Sequence, residues 1–521
     1  MAEQWEDMTR GSTITVASSS ALHPQQAHYR CDGLADEQEI HQADNDVPTT
    51  GGKIRLTEGR FYPSTTINIS SNVVLCGMGE DITTIVGTGI GSHYNIIANS
   101  DPSGGNTNIH IRDLTVDAGW TSGGTGVYGG AINFVKCTDS TITDVNVHNG
   151  YQHDVMVSRS QRIHLTRLDC YAAQGDDCIT VSDGSGVSES EYIWIVECYV
   201  HDSGTAAYQS GIEVDDGPQY VYIIGCVGEN ISGRDFNGHI HAGEKAIKHI
   251  YFRNCTGTGL IVYNSSATEV YDDIEVSGCT LNECSLVGPG KHVHVTDNPS
   301  LGWVYISDIS EDIRVCDNTI SNPGDEYGGI GIHCVNVDIN GVLLQGNTIS
   351  TTAQAGIFIE ARAGRTITYL NILDNVGYPV NWQTIAMQGP GTVDQVRISG
   401  NDCFGSGGIY VNPNVPYQLT MTNWIIEDNP GVCRKASGSA TVLAANTSVT
   451  VVHGIDRLGS ANENGKFAQA TPRGDWGNTV NWWISAFNSV NLIITVDVAP
   501  GGAGLGFYWE ADATRGTVWA H

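Results

Sequence analysis

The sequence predicts an all-β protein: a right-handed parallel β-helix, that is a solenoid, followed by a small C-terminal antiparallel β domain. Three observations carry that expectation. The first is a column of recurring residue types, Val116, Val147, Cys170, Cys198, Cys226, Cys255, Cys279, Asn298, Asn318, Asn347, Asn375, Asn401 and Asn429, at intervals of 19 to 31 residues. Self-similarity at that period marks a repeat architecture, in which each unit buries its apolar face only against its neighbours. The second is short apolar alternation before the column residues, as in Ile163-His164-Leu165, with Gly and Asn at the turns and almost no 3.6-residue spacing. Such units are made of strands. The third is a change of character in the last eighty residues, where five of the eleven Trp fall (Trp476, Trp482, Trp483, Trp509 and Trp519).

Residues 1–107 are expected to form an N-terminal cap and the first coils. An open first coil exposes strand edges and core, so something amphipathic must cover it. The acidic stretch Asp36-Glu37-Gln38-Glu39-Ile40 suits that task, and Gly51-Gly52-Lys53 through Gly59-Arg60-Phe61 begins the strands. This opening segment resembles that of the pectate-lyase-like β-helix superfamily, and the resemblance implies a parallel β-helix with a helical cap.

Residues 108–432 are expected to be the remaining coils. Within them Trp194 takes the solvent-facing step of Ile193-Trp194-Ile195. After Asn429-Pro430-Gly431, the small residues Ala436 to Ala440 read as a linker. Residues 441–521, with alternating runs Ser448–Val452 and Leu492–Val498, then read as a sandwich-like β domain. It resembles the C-terminal modules of phage tail fibres and tailspikes, which trimerise or bind glycans, and this implies a homotrimer.

Composition narrows the partners. With 521 residues, a net charge of −32 and 7 Lys beside 18 Arg, the chain lacks the positive field that nucleic acid requires. No apolar run reaches the roughly 20 residues that span a bilayer, so membrane insertion is not expected. The N-terminus carries neither a basic nor an apolar signal-peptide region. The expectation is a protein of a virion, or one that reaches the exterior without the secretory route. Of the fourteen Cys, five recur once per coil, which points to a stack of buried thiols instead of disulfides. The other nine show no metal-ligand spacing. The Asn members of the column read as an amide ladder.

Chemistry is expected where outward side chains of adjacent coils converge. Aligning apolar strands stacks His153-Asp154-Val155, Asp176-Asp177-Cys178-Ile179, Gln209 to Glu213 and Gly238-His239-Ile240-His241. That gathers Asp154, Asp176, Asp177 and Glu213 as candidate catalytic groups, with Asp215 and Asp216 just beyond. His153, Tyr208, His239, His241 and Lys245 are candidate substrate-binding residues. Crowded carboxylates push one another's pKa values apart, which can supply one protonated acid and one ionised base.

Gly175-Asp176-Asp177-Cys178-Ile179 resembles the Gly-Asp-Asp motif of the polygalacturonase-like glycoside hydrolases. The resemblance implies that Asp176 protonates the leaving glycosidic oxygen and that Asp177 helps to activate water in an inverting displacement. This chain departs from the family one coil earlier, where Gln152-His153-Asp154 replaces Asn-Thr-Asp. It departs again one coil later, where Gln209-Ser210-Gly211 replaces Gly-His-Gly; Lys245 and Lys248 are present but no Arg-Ile-Lys motif is. Three readings follow: a depolymerase that hydrolyses a host surface polysaccharide, a non-catalytic glycan-binding or structural spike, and a polysaccharide lyase. Hydrolysis requires no cofactor and no metal site, whereas the second and third readings leave room for Ca²⁺.

Overall fold

In the computed structural model, the described residues are 12–87, 95–121, 129–184, 187, 189–203, 209–322, 328–351, 355–379, 383–403, 409–411, 419–427 and 429. To these are added 435–442, 446, 448–452, 467–472, 482–487, 491–497 and 505–512. Tyr208, Cys433, Trp476 and Trp519 lie outside them. The chain divides into two compact units, residues 1–294 and 295–521.

The first unit is a parallel β-helix, as the repeat predicts. Its single α-helix among the described residues, α1 (Glu37–Asp46), seals the first coil. Ile40 and Ala43 are fully buried. Asp36 and Glu37 accept the backbone N–H groups of Tyr62 and Ser64, at 2.7 Å each, and so tie the helix to the coil edge. Strand Gly52–Leu56 pairs in parallel with Val73–Cys76, which continues in register through His110–Asp117, Cys137–His148 and Gln161–Tyr171.

A second face positions the site. It stacks Ile97–Asn99, β1 (Gly130–Val135), β2 (His153–Ser158), β3 (Ile179–Ser182), β4 (Ser210–Asp215), β5 (Arg234–Ile240) and β6 (Thr256–Asn264). All pairings are parallel, and the inward column runs Ile97, Ile132, Val155, Ile179, Ile212, Phe236, Leu260. Each is fully buried. Burying one such side chain is worth about 1.5–3 kcal/mol, so the column fixes which neighbours point outward.

Two registers differ from the sequence expectation. Cys170 aligns with Val200, not with Cys198. And Ile212 aligns with Phe236, not with Ile240. The errors are slips of two and four residues, and even slips leave every side chain on its expected face. The true thiol ladder is therefore Cys198, Cys226, Cys255, Cys279. Each thiol donates to a carbonyl of the preceding coil, as Cys255 does to Ile223 O at 3.4 Å. All thirteen described Cys are free.

The second unit carries the Asn ladder and parallel coils of its own, for example Ile330–Cys334, Ile357–Ala361 and Ile385–Gln388. Asn347 Nδ2 donates to Asn375 Oδ1 (2.8 Å) and to Val315 O (2.8 Å), and Asn347 Oδ1 accepts Nδ2 of Asn318 (2.9 Å). The same pattern continues to Asn401 and Asn429. Turn residues just before the ladder, such as Asp317, Gly346, Asp374 and Gly400, adopt positive φ, which suits Gly and Asp.

From Lys435 the topology becomes antiparallel, in two three-stranded sheets. The expected linker Ala436–Ala440 is in fact strand, because Lys435–Val442 pairs along its whole length with Leu505–Asp512. Pairing overrides the weak β-propensity of its Ala, Ser and Gly residues.

Candidate active site

On the outward side of β2 to β5, one column reads Met156, Thr180, Glu213, Asn237, and the next includes Ser182, Asp215, His239. The turn preceding β3 delivers Asp176 and Asp177 to the same face. Asp177 is fully buried; its Oδ1 accepts Ser210 N–H (2.6 Å) and its Oδ2 accepts the Thr180 hydroxyl (3.1 Å). That hydroxyl also meets His153 Nδ1 at 2.8 Å. Burial holds His153 at a pKa of about 3, so its ring is neutral.

Glu213 is only partly covered, and Asn237 Nδ2 lies 2.5 Å from its Oε1. Desolvation and the Asp177 charge push Glu213 well above the ordinary carboxylate range; Asp177 is also raised, chiefly by burial. Asp176 is part-exposed, receives Gln152 Nε2 at 3.4 Å, and is raised by desolvation. Beyond lies an ion-paired group: His241 Nδ1 stands 3.0 Å from Asp215 Oδ1 and 2.9 Å from Asp216 Oδ2, which lifts it to about 10. His239, 3.9 Å from the His241 ring, is lowered to about 4, first by desolvation and then by its charged neighbour.

The structure thus brings together Asp176, Asp177, Glu213, His153, His239 and His241. It does not bring Asp154 to this face. Asp154 is fully buried and accepts Gly150 N–H at 2.9 Å, so it serves the turn. Lys245 is turned to Glu269 (3.1 Å). Thr180 and Asn237, absent from the sequence-based set, hold Asp177 and Glu213. Asn237 is the outward neighbour of Phe236 and becomes visible only once Phe236 takes the rung above Ile212.

On this face two groups bring ligand atoms within 4.8 Å of one another, His153/Asp176/Asp177 and Asp215/His239/His241. Neither suits Ca²⁺, which takes six to eight oxygens. Each contributes imidazole nitrogen, and both Asp177 oxygens already accept hydrogen bonds.

No family model matches the chain. It is 23% identical over 478 residues to the pre-neck appendage protein of Bacillus phage B103, covering 82% of this chain and 51% of that one. To the pre-neck appendage protein of Bacillus phage phi29 it is 27% identical over 207 residues, or 34% of this chain and 24% of that one. The chain therefore spans about half the length of the first relative and a quarter of the second. Among solved structures, the tailspike gp61 of Pseudomonas phage phi297 aligns over 92% of this chain and 91% of its own, at 10% identity and a TM-score of 0.40.

Proposed function

We propose that this chain is a β-helical virion appendage that binds a surface glycan of its host and hydrolyses glycosidic bonds with Glu213 as acid and Asp176 as base. The observation that carries the reading is part-exposed Glu213 on the same face as part-exposed Asp176, with buried Asp177 close enough for its charge to raise Glu213. Desolvation and that charge favour the protonated form of Glu213 at a surface that substrate can reach, as a general acid requires. Asp176 faces the same surface and is the candidate to activate water. Asp177, buried beneath both, positions Glu213 and does not touch substrate. This assignment differs from the one implied by the Gly-Asp-Asp resemblance, in which Asp176 is the acid.

The virion setting is supported by the phage appendage relatives. A homotrimer is the assembly this reading expects, and light scattering measures it. The test is release of reducing ends from a panel of bacterial surface polysaccharides by the wild type, Glu213→Gln and Asp176→Asn. Activity in the wild type that both substitutions abolish supports the assignment. Glycan retention with no product in the wild type would instead make this a binding appendage.

A further inference from the structure

Next to the acidic cluster, on the same outward face, lies a cavity of about 200 Å³. Its lining includes Asn133, Val135, Met156, Arg159, Ser182 and Asp183. Met156 is the rung neighbour of Thr180, and Ser182 is the rung neighbour of Asp215, so the cavity adjoins the groups assigned above to catalysis.

Two of its polar atoms have no partner. Asn133 is 6% exposed and Ser182 2%, and neither Asn133 Oδ1 nor Ser182 Oγ makes a hydrogen bond. A buried polar atom left unpaired costs about 1–3 kcal/mol, and natural proteins keep few of them without a ligand or water to satisfy them. Asp183 is committed: it accepts the N–H groups of Arg159, Glu189 and Ser190 and the Ser190 hydroxyl, while Arg159 Nε donates to Asp183 O. The buried groups left open are the Asn133 amide oxygen and the Ser182 hydroxyl, beside an apolar wall of Met156 and Val135.

We propose that this cavity is a subsite for an N-acetylated sugar unit, with the acetamido N–H donating to Asn133 Oδ1, its methyl against Met156 and Val135, and a ring hydroxyl on Ser182 Oγ. The proposal rests on the reading that this face binds a glycan and names the class of sugar. The volume lies below the roughly 300 Å³ at which small-molecule sites begin, which suits one substituted ring and not an oligosaccharide.

Saturation-transfer NMR on the full chain tests it, with N-acetylglucosamine and N-acetylgalactosamine set against glucose and galactose. The expected result is saturation centred on the acetyl methyl of one N-acetyl sugar, with affinity about tenfold above its parent hexose. Asn133→Ala and Ser182→Ala should each weaken it about tenfold, the loss of one hydrogen bond that leaves its partner unpaired. Met156→Gln preserves volume and should weaken methyl contact if either alanine variant fails to fold. Equal binding of hexoses and N-acetyl sugars, no binding of either, or unchanged affinity in the folded variants would overturn the proposal. Monosaccharide binding needs no turnover, so this failure is distinct from a failure to release reducing ends.

Discussion

The Glu213 carboxyl on β4 stands close enough to the buried Asp177 carboxyl, from the preceding coil 36 residues earlier in the chain, for the Asp177 charge to raise it. Asp177 is anchored by Ser210 N–H and Thr180, so its charge stands at a fixed place beneath Glu213. Glu213→Gln should lower turnover at least about 100-fold while leaving the melting temperature near that of the wild type. Asp177→Asn should act differently. It removes the charge that raises Glu213, so Glu213 should lose its proton at lower pH and the alkaline limb of kcat/KM should move toward acid. A pH–rate profile of the two variants checks this; an unmoved limb in Asp177→Asn would remove Asp177 from the mechanism.

The Asn ladder should behave as a chain of satisfied buried amides. Asn347 links Asn318 to Asn375 and also caps Val315 O, all at 2.8–2.9 Å. Asn347→Ala strands the Asn318 and Asn375 groups, and should cost about 3 kcal/mol in unfolding free energy by denaturant titration. Asn423→Ala, at a strand residue whose side chain is bonded, among the described residues, to Asp394, should cost less.

His153 should make stability fall on the acid side. Its folded pKa, about 3, lies below the ordinary 6.5, so the unfolded chain takes up a proton that the fold refuses. The contribution is fully present above pH 6.5 and is lost as pH falls toward 3, with a limiting slope of about 1.4 kcal/mol per pH unit. Asp177 and Glu213, raised in the fold, act in the opposite sense, so the test compares variants instead of reading the total. In urea titrations from pH 7 to 4, His153→Gln should show a shallower acid loss than the wild type. Parallel curves would contradict a neutral buried His153.

The thiols should be silent until the chain unfolds. Twelve of the thirteen described Cys are buried, and Cys316 is the partly exposed one. Burial also raises the pKa of Cys137 and of Cys334 to about 12, far from the thiolate needed for reaction. A thiol reagent should titrate at most one or two groups in the native protein and at least thirteen in guanidinium. Reductant should leave the melting temperature unchanged.

Much of this fold was legible in the sequence because strand phase has a period of two, and apolar alternation reports it directly. The β-helix, the acidic cap at α1, the free thiols and the Asn ladder all follow from that phase and its coil-length repeat. The same signal placed Asp176, Asp177, Glu213, His153, His239 and His241 on one outward face.

Register was decided only by the tertiary structure. A slip of two moved Cys170 beside Val200, and a slip of four set Phe236 above Ile212; neither changes which side chains face in. Inward burial therefore cannot reveal such slips, and the complete packing of neighbouring coils must choose among them. That choice seats His239 over Asp215 and Asn237 over Glu213. Asp154 shows the remaining gap. Alternation assigns faces within a strand, but a carboxyl at the edge of a turn goes where its hydrogen bonds are, and for Asp154 that is the buried Gly150 N–H. Sequence alone determined the solenoid and the face that carries its charges; packing determined which of those charges stand beside one another.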